Sequence, residues 1–316
     1  MTVLPERSRV GATDGLLLLV VTLWGSNFSV VKVAIEEIPP LAFNGLRLVL
    51  ASMVLVGAAR LADATMPRRS DWLRLVALGL VGHCGYQFTF VLGLARTSVT
   101  NSSLILGCLP VTVLLLNAVS RRREAVARRQ WLGVALAFVG LYLVVGDGTA
   151  LTLETIRGDL LVIGSVWCWG WYTIGSRPLL SRYTPLALTA CTTVVGTVSF
   201  LLFAMRSLLA LEWRAVSGWA WVGTAASGLL ALSLSYVLWY RGVQQLGSAR
   251  TALYSNLVPV VAMVVAAVGL REPIGVIKLL GAGLVLSALA LTRMVTEGAV
   301  SVPLAPASVP VRAARL

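Results

Sequence analysis

Polar and aromatic side chains recur at helical spacing inside one apolar stretch of this chain. The sequence G-H-C-G-Y-Q-F-T-F at 82–90 places His83, Gln87 and Phe90 at positions i, i+4 and i+7, with Tyr86 beside them. On an α-helix this spacing sets the three side chains on one face. An amide, an imidazole and aromatic rings can hold a small organic solute, so the face predicts one wall of a cavity. The alternative is contact between helices, because the same side chains also bond between packed helices.

Aromatic residues at similar spacing occur in three further apolar stretches. They are Trp24 with Asn27, Trp169 with Tyr172, and Tyr236 with Trp239. Trp24 and Trp169 lie well inside their stretches, whereas a membrane-interface belt would place them at the ends. These residues predict an aromatic cavity wall; tight packing against neighbouring glycines is the alternative.

Two prolines, Pro110 and Pro259, fall inside apolar stretches. A proline within a helix removes one hydrogen bond and frees a carbonyl four residues earlier, here at Leu106 and Ser255. The prolines therefore predict hinges beside a binding site, and a fixed bend needed only for packing is the alternative. Polar residues on the same stretches add three candidate contacts with a substrate, namely Asn101, Tyr254 and Asn256.

Charged groups are scarce where the chain is apolar. No Asp or Glu falls in the middle of an apolar stretch, and His83 is the single histidine. Because proton and sodium relays usually need a buried carboxylate, we expect facilitated diffusion or exchange. We see no mid-depth cluster of Lys and Arg, which argues against phosphorylated sugars and nucleotide sugars. Lys32 and Arg177 near helix ends could steer a carboxylate, or could simply reach the membrane interface.

Composition places the chain in a membrane. Its 316 residues are 58% hydrophobic and 12% charged, with a net charge of +13, and the mean hydropathy is +0.86. Soluble domains carry roughly 25% charged residues, so we predict an all-α integral membrane protein that binds no nucleic acid. The four cysteines lie in apolar stretches and predict no metal site. We see no G-x-S-x-G or H-E-x-x-H motif, so we expect neither an enzyme nor a cofactor.

The chain repeats itself after about half its length. A shift of 145 residues aligns Asp14 with Asp159, Trp24 with Trp169 and Pro40 with Pro185, and a shift of 149 aligns Gly93 with Gly242 and Pro110 with Pro259. Five apolar stretches fall in each copy. An odd number of spans inverts the second copy relative to the first, which is typical of secondary transporters with a substrate site between the halves.

The predicted organisation has ten transmembrane helices. They lie near 14–35, 41–62, 72–95, 99–119, 128–147, 158–180, 185–206, 218–243, 249–270 and 275–295. We assign 1–13 to a cytoplasmic segment, 14–147 to the first five-helix repeat, 148–157 to a linker, 158–295 to the second repeat, and 296–316 to a disordered cytoplasmic tail. With the N-terminus in the cytoplasm, 18 of the 26 Lys and Arg residues fall on the inner side, so both termini are expected there.

Several motifs resemble the drug/metabolite transporter superfamily, EamA type. They are W-G-S-N-F at 24–28, A-R-T-S-V-T-N-S-S-L-I-L-G-C-L-P at 95–110, W-L-G-V-A-L-A-F-V-G at 131–140, and G-S-A-R-T-A-L-Y-S-N-L-V-P at 247–259. The resemblance covers residues 14–295 and implies ten helices and export of metabolites. It leaves the substrate open, because the superfamily handles amino acids, drugs, nucleotide sugars and sugar phosphates.

Together these features predict a transporter of the bacterial inner membrane. We expect alternating-access export of neutral amino acids or related metabolites, with aromatic and large aliphatic ones favoured. The partners expected are a small-molecule substrate and the lipid bilayer, and a homodimer is left open. The alternatives are a multidrug or other metabolite exporter of the same fold, and a channel-like or non-transporting membrane binding protein.

Overall fold

The protein is helical throughout the residues that the computed structural model describes, which are 11–65, 67–119, 128–146, 152–246, 251 and 254–299. The helices are α1 (Ala12–Glu37), α2 (Pro40–Leu61), α3 (Arg69–Arg96), α4 (Val99–Gly107, continued by Leu109–Val119), α5 (Arg128–Gly146), α6 (Leu153–Leu180), α7 (Pro185–Leu209), α8 (Gly218–Leu246), α9 (Ser255–Leu257, continued by Val258–Gly269) and α10 (Val276–Ala299). No strand occurs within these ranges, so the all-α prediction is confirmed for them.

Short polar residues set the first turns of several helices. The hydroxyl of Ser98 accepts a hydrogen bond from the backbone N–H of Asn101 at 3.0 Å at the start of α4. Thr152, Thr184 and Ser217 cap α6, α7 and α8 in the same way, three residues before the donor. Each cap satisfies one of the N–H groups that a helix start leaves without a partner. Such caps fix where the apolar segments begin.

Six of the helices in the described ranges are long and apolar enough to cross a membrane. They are α1, α2, α3, α7, α8 and the segment Val99–Leu116 of α4. Large apolar side chains cover the outside of the bundle, as at Leu73 (81% exposed) and Leu202 (78% exposed). An apolar outer surface of this extent needs lipid rather than water around it. The prediction of an integral membrane protein is therefore confirmed.

Helices α3 and α8 each contain a π-helical segment near the middle. The segments are Leu80–Gly85 and Ser227–Leu234. The hydroxyls of Ser233, in the second segment, and Ser235, just after it, donate to carbonyls five residues earlier, at 2.9 and 2.7 Å. Widened turns of this kind change the direction of the side chains that follow and are frequent at functional sites. Gln87 in α3 and Tyr236 in α8 each come two residues after the end of a segment.

Helices α4 and α9 are interrupted, and each proline follows an interruption. The α-helical bonding of α4 breaks at Cys108, immediately before Leu109–Val119. In α9 a 3₁₀ turn at Ser255–Leu257 precedes the α-helix that begins at Val258. Pro110 and Pro259 therefore stand in the first turn of a new segment, where a proline needs no N–H donor. This differs from the predicted prolines inside continuous helices.

Contacts between α1, α3, α6 and α8 come in matched pairs. A Cβ atom built on Gly242 would lie 2.8 Å from Leu17, and one built on Gly93 would lie 2.7 Å from Val162. These two contacts are related by the sequence shifts of 145 and 149 residues. Glycine at both positions lets α8 approach α1 and lets α3 approach α6 closely. The packing places the middles of all four helices around one central space.

Candidate functional site

A cavity lies in that central space and is lined by both halves of the chain. It encloses about 600 Å³ between its lining atoms, including the part open to the surroundings. Its wall is built by α1, α2, α3, α4, α6, α8 and α9, through Trp24, Asn27, Phe28, Arg47, Tyr86, Gln87, Phe90, Leu106, Leu109, Trp169, Ala231, Leu232, Tyr236, Ser255 and Val258. Seven of the residues predicted from the sequence are among them: Trp24, Asn27, Tyr86, Gln87, Phe90, Trp169 and Tyr236.

Aromatic rings form most of one side of the cavity. Trp169 lies at their centre, with its ring centroid 5.0 Å from that of Tyr86, 5.1 Å from Tyr236 and 6.0 Å from Trp24. Tyr86 in turn stacks on Phe90 at 5.7 Å, with 10° between the ring planes. Ring pairs at these distances hold each other in place. The wall therefore offers a rigid apolar surface to a solute.

Polar side chains form a connected network next to these rings. The guanidinium of Arg47 donates to Gln87 Oε1 at 2.6 Å, to Ser227 Oγ at 2.8 Å and, through Nε, to Asn44 Oδ1 at 2.6 Å. Ser227 then donates to Asn27 Oδ1 at 2.6 Å. The amide nitrogen of Gln87 donates to the hydroxyl oxygen of Tyr236 at 3.0 Å, closing the network onto the aromatic wall.

Arg47 is the main lining residue that reasoning from the sequence missed. Its side chain is 1% exposed, yet it borders the cavity. The signal was present, because Asn44 and Arg47 stand three residues apart inside the apolar run of α2 and so share a helix face. The search for mid-depth basic residues looked for a cluster and passed over one buried arginine. A lone ionisable residue inside a membrane helix is itself a sign of function.

His83, Tyr172 and Trp239 lie behind the cavity wall and do not line it. His83 Nε2 is 3.1 Å from the Tyr172 hydroxyl and 3.2 Å from Thr192 Oγ1, and the His83 ring is 5.4 Å from Tyr236. Trp239 is fully buried, with its ring centroid 4.9 Å from that of Trp24. These three residues support the wall because they fill the space behind Trp24 and Tyr236.

Asn101 and Tyr254 lie near opposite ends of the helices, away from the cavity. The Asn101 amide donates to Asp159 at 3.4 Å, and Thr97 donates to the same carboxylate at 2.6 Å. Tyr254 donates to Asp14 at the start of α1. The bonds to Asp159 join the start of α6 to the beginning of α4. The bond to Asp14 joins the start of α1 to the residue just before α9. The side chain of Asn256 lies outside the described part of the structure.

The interruptions of α4 and α9 face the cavity. Leu106 and Leu109 on either side of the break in α4 line it, as do Ser255 and Val258 in α9. The Ser255 carbonyl accepts a hydrogen bond from the backbone N–H of Val258, so the 3₁₀ turn itself uses one carbonyl that the sequence predicted to be free. The two interruptions are related by the 149-residue shift. Discontinuous membrane helices that border a cavity are typical of transporter substrate sites.

Lys32 serves the structure near the end of α1. Its ammonium donates to the backbone carbonyls of Leu94 and Thr97 at 2.9 and 2.7 Å. Arg177 is exposed on α6. Within the described residues, no group of three His, Cys, Asp or Glu side chains is placed to hold a metal ion. The cavity thus presents aromatic rings, amides, hydroxyls and one guanidinium, which are groups for binding a solute.

Comparison with known proteins links the sequence of the chain to a transporter family. The EamA-like transporter family matches residues 12–146 and 156–294. The chain is 28% identical to an uncharacterized transporter, YyaM, of Bacillus subtilis, over 88% of this chain and 91% of that protein. It is 30% identical to a probable terminal-alkyne amino-acid exporter of Streptantibioticus cattleyicolor, over 89% of this chain and 93% of that protein.

Two further similarities agree with that assignment. The chain is 25% identical to a probable amino-acid metabolite efflux pump of Salmonella typhimurium, over 87% of this chain and 93% of that protein. A solved crystal structure matches with a TM-score of 0.67 at 17% identity, over 91% of this chain and 98% of that one, which is a likeness in fold alone. The resemblance predicted from the sequence motifs is confirmed, and the chain belongs to the EamA-like transporter family.

Proposed function

We propose that this membrane transporter exports neutral amino acids or closely related metabolites from a bacterial cell across the inner membrane. Aromatic and large aliphatic side chains are the favoured cargo. The transporter works by alternating access, as a facilitator or an exchanger, and both of its termini face the cytoplasm. The observation that carries the proposal is the cavity at the centre of the bundle, where an aromatic wall adjoins a polar network.

The proposed architecture is two inverted repeats of five transmembrane helices. It is supported by contacts between residues that the sequence shifts make equivalent. Ser52 and Thr197, which are 145 residues apart, share a hydrogen bond of 2.8 Å. Gln87 and Tyr236, which are 149 residues apart, share one of 3.0 Å. Such pairs would meet where a two-fold pseudo-symmetry axis passes, and one of them, Gln87 with Tyr236, lines the cavity. Substrate sites between inverted repeats are common in secondary transporters.

Amino acids are the proposed cargo because the cavity has two kinds of surface. Rings such as Trp169 and Tyr86 would contact an apolar side chain, and a ring face would also attract an ammonium group, at roughly 0.5–2 kcal/mol. The amide of Gln87 and the polar groups beside it would hold the other end. Two relatives, named as exporters of amino acids or their metabolites, support the same substrate class.

Counterflow in liposomes tests this function. The purified protein is reconstituted into vesicles preloaded with unlabelled phenylalanine, and uptake of labelled phenylalanine, leucine, alanine and glycine is followed without an ion gradient. We expect saturable uptake, faster for phenylalanine and leucine than for glycine. Uptake that does not depend on preloading and does not saturate would indicate a channel. Uptake only under a proton or sodium gradient would contradict the proposed energetics, and no uptake of any amino acid would contradict the cargo.

A further inference from the structure

Arg47 is a buried cation whose three hydrogen-bond partners are all neutral. Asn44, Ser227 and Gln87 each accept from its guanidinium, at 2.6 to 2.8 Å. The ion pairs found in the described residues involve other side chains, Arg96 with Glu154 and Arg182 with Asp71. The side chain of Arg47 is 1% exposed. Within the described part of the chain, its positive charge is thus removed from water and is not compensated by a carboxylate.

The guanidinium keeps donors for one more ligand. An arginine carries five N–H groups, and the three hydrogen bonds above use one donor each from Nε, Nη1 and Nη2. One N–H on each terminal nitrogen is therefore not used by these bonds. Arg47 also borders the cavity, so a solute there can approach it. Two N–H groups in one plane match the two oxygens of a carboxylate.

We infer that Arg47 anchors a carboxylate group of the transported solute. This inference rests on the proposed transport function and adds the group by which the cargo is recognised. A buried charge without a counter-ion is costly, and a carboxylate at this position would supply the missing negative charge. The protein therefore recognises the carboxylate end of the solute, and the amino group contributes less to binding.

A monocarboxylate suits the site better than a phosphate. The side chains that accept hydrogen bonds from Arg47 are neutral, and its guanidinium carbon lies 5.3 and 5.9 Å from the ring centroids of Phe43 and Phe90. Lys32, the basic residue of α1, is engaged by the carbonyls of Leu94 and Thr97. A phosphate near neutral pH carries between one and two negative charges, and sites for it usually gather several cations or backbone N–H groups. A single guanidinium balances a single carboxylate.

The three neutral partners act as positioning residues. Asn44 fixes the Nε side of the guanidinium, while Ser227 and Gln87 hold its two terminal nitrogens from opposite halves of the chain. Because α2, α3 and α8 each contribute one partner, the guanidinium plane is set by the packing of these helices. The network thus presents the two remaining N–H groups in a fixed direction.

The test compares three compounds that share one phenyl ring. Phenylalanine has a carboxylate and an ammonium group, 3-phenylpropionate has only the carboxylate, and phenethylamine has only the ammonium group. Their Kd values for the full-length purified protein are measured by isothermal titration calorimetry. We expect 3-phenylpropionate to bind almost as tightly as phenylalanine, and phenethylamine to bind at least about tenfold more weakly, because it lacks the charged group that the guanidinium would bind.

Two variants locate the effect at Arg47. Arg47→Gln removes the charge, and Arg60→Gln removes an exposed charge from the end of the same helix as a matched control. We expect Arg47→Gln to weaken phenylalanine and 3-phenylpropionate at least about tenfold and to leave phenethylamine unchanged or tighter, while Arg60→Gln changes none of them. If Arg47→Gln fails to fold, the three-compound series on the unaltered protein still decides.

All outcomes but one distinguish a failure of the anchor from a failure of the proposed function. Phenethylamine binding as tightly as phenylalanine would overturn the role of Arg47 while leaving amino-acid transport in place. Binding of 3-phenylpropionate without binding of phenylalanine would support the anchor and contradict the amino-acid cargo. Binding of none of the three compounds would overturn both. Equal loss of all three compounds in a folded Arg47→Gln protein would make Arg47 structural and overturn the anchor.

Discussion

The aromatic wall gives a quantitative prediction for Trp169→Ala. Trp169 contacts Tyr86, Tyr236 and Trp24 and is 3% exposed, so only one edge of its ring faces the cavity. A bound phenyl ring would meet that edge, and a ring pair of this kind is worth about 1 kcal/mol. Losing the pair lowers the affinity about fivefold.

The prediction concerns a ratio of transport between two substrates, because the substitution also lowers the stability of the protein. Replacing a buried tryptophan by alanine costs ~3–5 kcal/mol of stability, and that loss lowers the amount of active protein equally for every substrate. We therefore expect the ratio of phenylalanine to alanine kcat/KM in counterflow to fall about fivefold in Trp169→Ala. Trp219→Ala, at a position that is 83% exposed on α8, is the matched control and should leave the ratio unchanged.

Two results would refute the reasoning. Equal losses of phenylalanine and alanine transport in Trp169→Ala would mean that the ring only supports the fold. A fall of the ratio in Trp219→Ala as large as in Trp169→Ala would mean that the assay reports membrane insertion and not contact in the cavity.

Three further predictions follow from packing, charge and topology. Gly93→Ala should lower the free energy of unfolding by about 1–3 kcal/mol, because its Cβ atom would press on Val162. Gly57→Ala, with open space around it, should not lower it. Thermal unfolding in detergent measures both variants, and equal midpoints would contradict the close contact. Exchange of substrate should be several times faster than its net efflux from the same vesicles, because in net efflux the carrier must reorient empty, with the charge of Arg47 uncompensated. Equal rates would contradict this. A cytoplasm-dependent fluorescent reporter fused after Leu316 should be bright, and a dark, full-length, inserted fusion would reverse the assigned orientation.

Much of the helical layout could be predicted because membrane helices leave a strong local signal. Apolar runs of sufficient length, short polar caps and Pro40 or Pro185 at helix starts mark where the helices lie. The observed helix boundaries differ from the predicted ones where a helix continues with polar residues past its apolar run. Helix α6 begins at Leu153, five residues before the predicted start at 158, because Thr152 caps it there.

The cavity residues could be predicted only in part, because the hydrophobic pattern does not say which face of a helix meets which neighbour. Helical spacing placed Gln87 and Phe90 on one face, and both line the cavity. His83 belongs to the same predicted stripe, yet it turns toward Tyr172. His83 lies within the π-helical segment Leu80–Gly85, which changes the register that a regular helix would keep. A π segment has no clear mark in the sequence.

The polar network could not be assembled from the sequence because its members are far apart along the chain. Arg47 and Ser227 are separated by 180 residues, and Asn27 and Ser227 by 200. Each residue alone resembles an ordinary polar residue of a membrane helix. Only the packing of α2 against α8 brings them together beside the cavity. Asn101 and Tyr254 were predicted to contact the substrate because they are polar and lie on the two apolar stretches that contain the prolines. In the structure, each of them hydrogen-bonds an aspartate at the start of another helix.

The most direct test of the central claim is a structure of the protein with 4-bromophenylalanine bound, because anomalous scattering locates the bromine independently of the surrounding density. The account predicts a single strong bromine peak in the central cavity beside Trp169 and Tyr86, with the carboxylate of the ligand at Arg47. A bromine peak on the lipid-facing surface, or in any space outside the central cavity, would contradict the claim that this cavity is the transport site.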